Sequence, residues 1–320
     1  MKRFLYNFLL LLLALLLSDR VALGQNDAQL TQYMFNKLVY NPAYAGVEGV
    51  TNITALYRSQ WLGYQASIDQ GGAPSTALIT FDAPILRLNS GLGLQVLNDQ
   101  LGPQNNLNIL LAYAYHLELN DYKLSFALQG GVISQTIDFD KYRWLDPDDP
   151  FNRTGKESQV RPDLSIGFFL QSQKLYAGLS YNHLIDSEFD FGVENIQNPL
   201  EKQLNFMMGY DIMYNYDVII TPSVLFRTDF TGYALDVSTL LEYKQMFWGG
   251  LSYRYMEAVS AILGYAFLKD KSLRIGYSLD YIVHHANAKA TTSHEFMLNY
   301  LLPLNVGKER KIIRTPRFRH

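Results

Sequence analysis

Apolar residues alternate with small or polar residues through most of this chain. Between residues 107 and 117 the odd positions hold leucine, isoleucine or tyrosine, and the even positions are mostly small or polar. A period of two places successive side chains on opposite faces of a β-strand, one face apolar and the other not. After Asn120-Asp121 the apolar positions become even, from Tyr122 to Val132. Two such runs joined by a tight Asn-Asp turn predict a β-hairpin.

The same alternation recurs as far as residue 302 and predicts about fourteen strands. We expect them near residues 51–61, 75–84, 90–98, 107–117, 122–132, 164–170, 175–181, 204–212, 218–226, 233–243, 251–255, 259–267, 273–281 and 296–302. Charged residues make up only 18% of the chain, which also has 23 tyrosines, whereas soluble domains average about 25% charged residues. A soluble β-sandwich or propeller would carry a polar outer face. The sequence therefore predicts an all-β fold, a transmembrane antiparallel up-and-down β-barrel.

Charged and amide side chains occupy the positions opposite the apolar faces. They are Arg58, Asp82, Gln95, Asn108, Gln129, Asn205, Asp236, Glu242, Arg254, Arg274, Asp280 and Glu295. An arginine or lysine that faces lipid at the bilayer midplane costs about 2–4 kcal/mol. We therefore expect this set to face the barrel lumen.

The start of the chain predicts export. Lys2 and Arg3 precede the apolar run 4–17, and Ala22-Leu23-Gly24 supplies small residues for cleavage, so residues 1–24 are interpreted as a signal peptide. The alternative is an uncleaved membrane anchor, for which the apolar run is a little short. The chain contains no cysteine, which excludes disulfides, a lipoprotein anchor and a cysteine nucleophile.

The lengths of the connections predict an orientation for residues 49–302, the expected barrel. The turns after even-numbered strands are short, and the long connections at roughly 139–162 and 184–202 follow odd-numbered strands. Outer-membrane barrels have short periplasmic turns and longer outer loops, so we expect an outer-membrane protein with both termini in the periplasm. Residues 303–320 would then form a basic periplasmic tail, either disordered or in contact with an acidic partner or peptidoglycan. The net charge of −3 argues against a nucleic-acid partner.

An aromatic segment lies between the signal peptide and the first strand, at residues 25–48. Leu30, Met34 and Leu38 follow helical spacing, which predicts a short helix over residues 27–40 with Asp27 as its N-cap. Asn41-Pro42 would end that helix, because proline disfavours the helical conformation in the preceding residue. Such a segment either plugs the barrel mouth or docks on a partner. The candidate residues are Tyr33, Phe35, Asn36, Asn41, Pro42, Tyr44 and Gly46, with Arg58 and Trp61 on the barrel side.

Five motifs follow one another between residues 29 and 103. They are Gln32-Tyr33-Met34-Phe35-Asn36 with Asn41-Pro42-Ala43-Tyr44-Ala45-Gly46, then Tyr57-Arg58-Ser59-Gln60-Trp61, Gly72-Ala73-Pro74-Ser75-Thr76, Gly91-Leu92-Gly93, and Leu97-Asn98-Asp99 with Gly102-Pro103. In this order they resemble the PorP/SprF family, the type IX secretion system membrane proteins of Bacteroidetes. Beyond residue 103 the resemblance is one of barrel pattern and length.

The resemblance implies a non-enzymatic component of the type IX secretion and gliding machinery. Its implied partners are outer-membrane lipid, the periplasmic ring lipoproteins, a peptidoglycan-binding partner, and a secreted adhesin cargo with a type B C-terminal domain. No cofactor or metal is implied.

Two other functions are open to a chain of this kind. A diffusion porin or small-molecule channel fits the polar inner face, although a porin would not need the aromatic segment. An outer-membrane hydrolase would use one of the histidines, but neither a Gly-x-Ser-x-Gly nor a His-Glu-x-x-His pattern occurs. The acidic stretches at 146–149 and 186–194 are interpreted as solvated loops, with calcium binding as the alternative.

Overall fold

The computed structural model describes residues 27–64, 72–142, 154–191, 199–268, 270–284 and 290–302. The predicted signal peptide and basic tail lie outside these residues. Within them the strands are β1 (Thr51–Ser59), β2 (Ser75–Ile85), β3 (Ser90–Leu101), β4 (Gln104–Leu119), β5 (Tyr122–Asp138), β6 (Lys156–Gln171), β7 (Leu175–Asn182), β8 (Gln203–Tyr210), β9 (Ile212–Met213), β10 (Val218–Thr228), β11 (Tyr233–Tyr243), β12 (Phe247–Arg254), β13 (Ala258–Phe267), β14 (Leu273–Ile282) and β15 (Thr292–Leu302).

These strands close into one antiparallel barrel. Strands adjacent in the chain pair with each other, and the last strand pairs with the first, with Thr51 opposite Leu302. β8 and β9 both pair with β10 and are separated only by Asp211, so together they form one strand of the wall. The described residues thus build a closed barrel of fourteen wall strands, which confirms the predicted fold.

The alternation in the sequence is the alternation between the outer and inner faces of the wall. In β4, Leu111 is 57% exposed on the outer face, whereas the neighbouring Ala112 and Ala114 are completely buried. Most of the side chains predicted to face the lumen are buried, namely Arg58, Asp82, Gln95, Gln129, Asn205, Asp236, Arg254, Asp280 and Glu295. Asn108, Glu242 and Arg274 are partly buried. The apolar outer face matches a lipid environment, and the polar groups lie inside.

The two ends of the barrel differ in the length of their connections. At one end, called here the short-turn end, the connections are 86–89, 120–121, 172–174, 214–217, 244–246 and 268–272. At the other, the long-loop end, the longer connections are 60–74, 139–155 and 183–202. Thr51 and Leu302 both lie at the short-turn end, because they form the first register pair of β1 and β15.

β5 and β6 are longer than predicted. We expected a loop until residue 162, but β6 begins at Lys156 and pairs with the outer half of β5 as far as Asp138. The stretch 156–163 reads Lys-Glu-Ser-Gln-Val-Arg-Pro-Asp, with polar residues on both faces. Beyond the lipid-facing part of the barrel, neither face of a strand has to be apolar. The alternation of apolar and polar residues is therefore lost there.

The helix predicted over residues 27–40 is wrong. The segment instead forms three short 3-10 turns, at Tyr33–Phe35, Lys37–Val39 and Pro42–Tyr44. Asn36 breaks the pattern, with φ −135° and ψ 64°. Polar groups of the wall bond directly to the backbone of this segment, so its N–H groups do not need helical partners. No helix in the described part of the chain is long and apolar enough to cross a membrane.

Candidate functional site: a plugged lumen

Residues 27–47, which we call the plug, lie inside the barrel. Leu30, Tyr33 and Leu38 are almost completely buried, and they form the main hydrophobic core together with inward residues of the wall. Tyr33 Oη lies 3.0 Å from Ser223 Oγ on β10, and Thr80 on β2 donates to the Asn36 side chain at 3.2 Å. The plug therefore bridges opposite sides of the wall.

The plug runs from the long-loop end to the short-turn end. Asp27 lines a small cavity together with Asp99 and Gln104, which flank the short β3–β4 connection at the long-loop end. Gly46 packs against Pro84 and Gly91 near the β2–β3 turn at the opposite end. Asp27 and Leu302 thus lie at opposite ends of the barrel. The plug spans the lumen between Asp27 and the start of β1 at the short-turn end.

A buried ion cluster fixes the first turn of the plug. Arg58 is 2% exposed and pairs with Asp280 at 2.7 Å and Glu295 at 3.3 Å. Glu295 accepts hydrogen bonds from the backbone N–H groups of Thr31 and Gln32, each at 2.8 Å. The Thr31 hydroxyl lies 2.9 Å from the Asp280 carboxylate and accepts from Arg58 at 2.8 Å. We call Arg58, Asp280, Glu295 and Thr31 the seam cluster, because Arg58 and Glu295 face each other where β1 meets β15.

A second group of contacts surrounds Tyr40. The Tyr40 hydroxyl accepts a hydrogen bond from the Leu30 backbone N–H at 3.0 Å. The backbone carbonyl of Tyr40 accepts hydrogen bonds from the side chains of Ser180 and Asn205. The Arg227 guanidinium lies 5.6 Å from the centre of the Tyr40 ring. A cation over a desolvated aromatic face contributes about 2 kcal/mol. These contacts hold the middle of the plug against β7, β8 and β10.

Arg227 belongs to a buried charge network of the wall. Asp236 pairs with Arg254 at 2.7 Å and with Arg227 at 3.3 Å, and all three side chains are almost completely buried. Buried charges are tolerated only when they are paired and hydrogen-bonded. This part of the lumen wall therefore holds its charges as ion pairs beside the plug.

Asn41 and Pro42 build the last turn of the plug. Asn41 has φ −147° and ψ 110°, and its side-chain oxygen caps the turn by accepting from the Ala43 N–H at 2.9 Å. Its amide donates to the carbonyl of Phe168 on β6 at 2.9 Å. Proline suits the first position of the turn, because it has no N–H to satisfy. Asn41-Pro42, predicted to end a helix, therefore also attaches the plug to the wall.

Glycines in the wall make room for the plug. A Cβ atom on Gly91 would overlap the Ala45 carbonyl and approach Gly46 Cα to 2.8 Å. Gly46 itself has φ +71°, a conformation that favours glycine, and its N–H donates to Asp82 at 3.2 Å. The backbones of plug and wall are therefore in direct contact at the short-turn end.

A histidine between two carboxylates holds the start of the plug. His183, just beyond β7, lies 3.3 Å from Asp27 and 3.1 Å from Asp163. Burial alone would lower the pKa of His183, but the two carboxylates outweigh it and raise this pKa to about 10. Burial would raise the pKa of Asp27, yet the charge of His183 and a hydrogen bond to it hold that pKa below 3.8. At neutral pH both groups are charged and attract each other.

Aromatic contacts fix the plug towards the short-turn end. The Phe35 ring packs against Trp248 of β12 at 5.2 Å, and the Tyr44 ring packs edge-on against Phe169 of β6 at 5.2 Å. Such aromatic pairs contribute about 0.5–1.5 kcal/mol beyond the area that they bury. These contacts come from opposite parts of the wall and centre the plug in the lumen.

The structure brings together most of the residues singled out in the sequence. Tyr33, Asn36, Asn41, Pro42, Tyr44 and Gly46 are buried in the plug, Phe35 is partly buried there, and Arg58 contacts the plug from the wall. Trp61 lies beyond the end of β1, where its N–H donates to Ser293 at 3.1 Å and its ring packs against Tyr64 at 5.8 Å. It belongs to the long-loop rim and not to the first strand.

Several residues that hold the plug were not predicted. Thr31, Tyr40 and His183 each make buried polar contacts with the wall or the plug. The inward-facing charges of the strands did indicate that polar contacts exist inside the barrel, because a buried charge requires a partner. The sequence does not indicate which residue that partner is.

One histidine–serine contact among the described residues lies on the inner wall. His116 Nδ1 lies 2.7 Å from Ser125 Oγ, but both side chains are buried on the inner wall. Within the described residues, no group of three or more His, Cys, Asp or Glu side chains is placed to hold a metal ion. The acidic stretch 146–149 lies outside the described residues.

Comparison with protein families agrees with this architecture. The model of the family described as type IX secretion system membrane protein PorP/SprF matches residues 22–300. The chain belongs to the PorP/SprF family. It is therefore a membrane protein of the type IX secretion system, built as a closed β-barrel. A comparison with curated proteins gave no match.

Solved structures similar to this PorP/SprF protein include a hydrocarbon channel and a toluene transporter. The CymD monoaromatic hydrocarbon channel aligns with a TM-score of 0.50 and 12% identity, covering 88% of this chain and 94% of that one. The Ralstonia pickettii toluene transporter TbuX aligns with a TM-score of 0.48 and 11% identity, covering 83% and 92%. At such identity the likeness to CymD concerns the fold alone.

Proposed function

We propose that this PorP/SprF protein is a closed, non-enzymatic scaffold of type IX secretion that pairs with a secreted surface adhesin carrying a type B C-terminal domain. Docking of the periplasmic ring lipoproteins or of a peptidoglycan-binding partner is a second part of the same proposal. The main support for this proposal is that the lumen is filled. A barrel whose interior is occupied by its own residues 27–47 offers partners its two mouths and not an open path.

The contacts of the plug favour this role over that of a diffusion porin. The seam cluster, the Tyr40 contacts and the close approach of Gly46 to Gly91 bind the plug to strands on all sides. Opening a pore would break the hydrogen bonds of the Thr31 and Gln32 N–H groups to Glu295 and those of the Tyr40 carbonyl, and each buried polar group left without its partner costs about 1–3 kcal/mol. The candidate plug residues thus act by closing the lumen, and recognition falls to surfaces outside it.

The proposed orientation places the long-loop end outside the cell and the short-turn end in the periplasm. Leu302 then lies at the periplasmic end of the barrel. The start of the plug at Asp27 lies towards the outer mouth. In this orientation the adhesin meets the long loops, and the secretion ring meets the short-turn rim.

The outer mouth is rich in carboxylates. Among the described residues the exposed ones are Asp140, Asp186, Glu188, Asp190 and Glu201. Lys156 and Lys202 lie at the same mouth, and Lys202 pairs with Asp186 at 2.7 Å, so only part of this negative charge is neutralised. An excess of one charge raises the association rate of an oppositely charged partner and makes it sensitive to salt. This charge favours a partner that presents basic groups or a bridging cation.

A tagged full-length protein captured from detergent-solubilised outer membranes tests the proposal. One variant neutralises exposed carboxylates of the long-loop end, by the substitutions Asp140→Asn, Glu188→Gln and Glu201→Gln. A matched variant makes the same number of changes at the short-turn end, by Glu118→Gln, Asp121→Asn and Asp217→Asn. Heat-modifiable migration on gels verifies that each barrel is folded.

We expect the intact protein to co-purify with an adhesin and with ring components, and to pass no ion current in a planar bilayer. The long-loop variant should lose the adhesin alone, and the short-turn variant should lose ring components alone. An intact protein that captures neither partner and conducts ions would establish the channel alternative instead.

A further inference from the structure

A small cavity lies between the start of the plug and the long loops. Its volume is about 130 Å³, and its walls come from β3, β4, β5, the plug and the β7–β8 connection. One side is polar, with Asp27, Asp99 and Asn108, and the other is apolar, with Ile133 and Phe189. The cavity is therefore amphipathic and large enough for a few non-hydrogen atoms.

Asp99 is a buried carboxylate in this wall with only one bonding partner among the described residues. It is 5% exposed, and one of its oxygens, Oδ1, accepts a hydrogen bond from the Thr76 hydroxyl. No lysine, arginine or histidine of the described chain lies within ion-pair distance of it. A buried carboxylate without a cation is costly. The other lining carboxylate, Asp27, is also negative and adds no compensation.

The amides in the wall add further acceptors. Asn106 Oδ1 already accepts from Gln104 at 2.9 Å and from Gln135 at 3.3 Å. Asn108 Oδ1 is buried and has no hydrogen-bond partner. Buried polar atoms are rarely left unpaired. The polar side of the cavity is thus matched to a ligand that donates hydrogen bonds and carries positive charge.

The apolar side restricts the kind of cation. Ile133 and Phe189 belong to a small hydrophobic core with Phe139 and Phe191, formed by β5 and the long loops. Calcium and magnesium take a shell made wholly of oxygen ligands, and this half of the wall cannot supply one. An organic cation with an apolar stem can place its stem here and its charged head against the carboxylates.

We propose that this cavity is a binding site for an alkylammonium or guanidinium group on an apolar stem. Asp99 pairs with the cation, Asn108 Oδ1 accepts one of its N–H groups, and Phe189 covers the stem. Two sources share this chemistry, a free amine and the lysine or arginine side chain of a peptide. The site does not depend on the proposed adhesin or ring contacts, since it is defined by the isolated barrel.

Calorimetric titration of the purified full-length barrel in detergent tests the site. The probes are n-butylammonium chloride, the neutral 1-butanol, calcium chloride, and a capped Ala-Lys-Ala peptide with its norleucine counterpart. The variants are Asp99→Asn and Asn108→Asp, with Glu201→Gln as a control for an exposed carboxylate of the same mouth.

We expect n-butylammonium to bind and 1-butanol not to bind. Asp99→Asn should weaken binding at least tenfold, Asn108→Asp should tighten it severalfold, and Glu201→Gln should leave it unchanged. Binding of the lysine peptide but not the norleucine peptide would identify a peptide side chain as an accepted source. Binding of the free amine alone would restrict the site to small amines. Equal binding of butanol, preferential binding of calcium, or amine binding insensitive to both Asp99→Asn and Asn108→Asp would overturn the proposal.

Discussion

The substitution Arg58→Met tests whether the seam cluster holds the plug. Arg58 is 2% exposed, and its partners Asp280 and Glu295 are completely buried. Removing the guanidinium leaves two buried carboxylates without their cation, which costs about 3–5 kcal/mol. If the cost falls on the seated state, each 1.4 kcal/mol changes the ratio of released to seated plug about tenfold. We therefore expect that ratio to rise between about a hundredfold and a few thousandfold.

Planar-bilayer conductance and the temperature of heat-modifiable unfolding measure this effect. The variant should show channel openings that the parent protein lacks, and it should unfold at a lower temperature. Arg87→Met is the matched control, because Arg87 is exposed at the short-turn end and its loss should change stability by less than about 0.5 kcal/mol. An Arg58→Met variant that stays closed and unfolds together with the parent would show that the seam cluster does not hold the plug.

A triple variant separates lost charge pairing from lost packing. Arg58→Met combined with Asp280→Asn and Glu295→Gln removes the cation and both anions together. Replacing a whole buried ion cluster by neutral groups is much less costly than removing one member. We expect the triple variant to recover part of the stability lost in Arg58→Met. Glu295→Gln keeps only one of the two acceptors used by the plug backbone, so recovery should be incomplete.

Four further substitutions, one of them a control, test other parts of the structure. Gly91→Ala should destabilise the plug by about 1–3 kcal/mol through overpacking against backbone, and Gly249→Ala, with its nearest neighbour at 3.5 Å, should be close to neutral in the same unfolding assay. Leu111→Lys on the outer face should cost about 2–4 kcal/mol of barrel stability, measured in lipid vesicles. The pKa of His183 is raised to about 10 from 6.5, so its contribution is complete below pH 6.5 and is lost as pH rises through 10. The unfolding temperature of the parent should therefore fall towards that of His183→Gln over this range, and a constant difference would contradict the assignment.

The barrel could be read from the sequence because its wall obeys a local rule. Leu111 and Ala112 are neighbours in the chain but face lipid and lumen, and the sequence records that difference directly. The turn at Asn120-Asp121 was also predicted, because asparagine is common in tight hairpin turns. In the structure Asn120 adopts φ +49°, as such a turn requires. The outer ends of β5 and β6 were missed where the strands leave the apolar belt and the constraint disappears.

The plug could be suspected but not built from the sequence. Its apolar residues are buried as the spacing of Leu30, Met34 and Leu38 suggested, yet the helix is absent. The deciding contacts are remote, since Thr31 and Glu295 are 264 positions apart. Helix propensity is a weak prior that tertiary contacts override. No local pattern indicates that Glu295 takes two backbone N–H groups that a helix would leave free at its start.

The seam cluster couples the plug to the closure of the barrel. Arg58 on β1 and Glu295 on β15 are register partners across the junction that joins the first strand to the last. The Glu295 carboxylate also accepts hydrogen bonds from Thr31 and Gln32 of the plug. One side chain therefore contributes both to barrel closure and to binding of the plug. A plug that merely blocked a finished pore could be removed without weakening the wall. Here we expect loss of the plug contacts and loosening of the β1–β15 junction to occur together. Amide hydrogen exchange in Arg58→Met should therefore rise in residues 30–33 and at this junction while the β4–β5 pairing stays protected, and faster exchange in the plug alone would show that the two are independent.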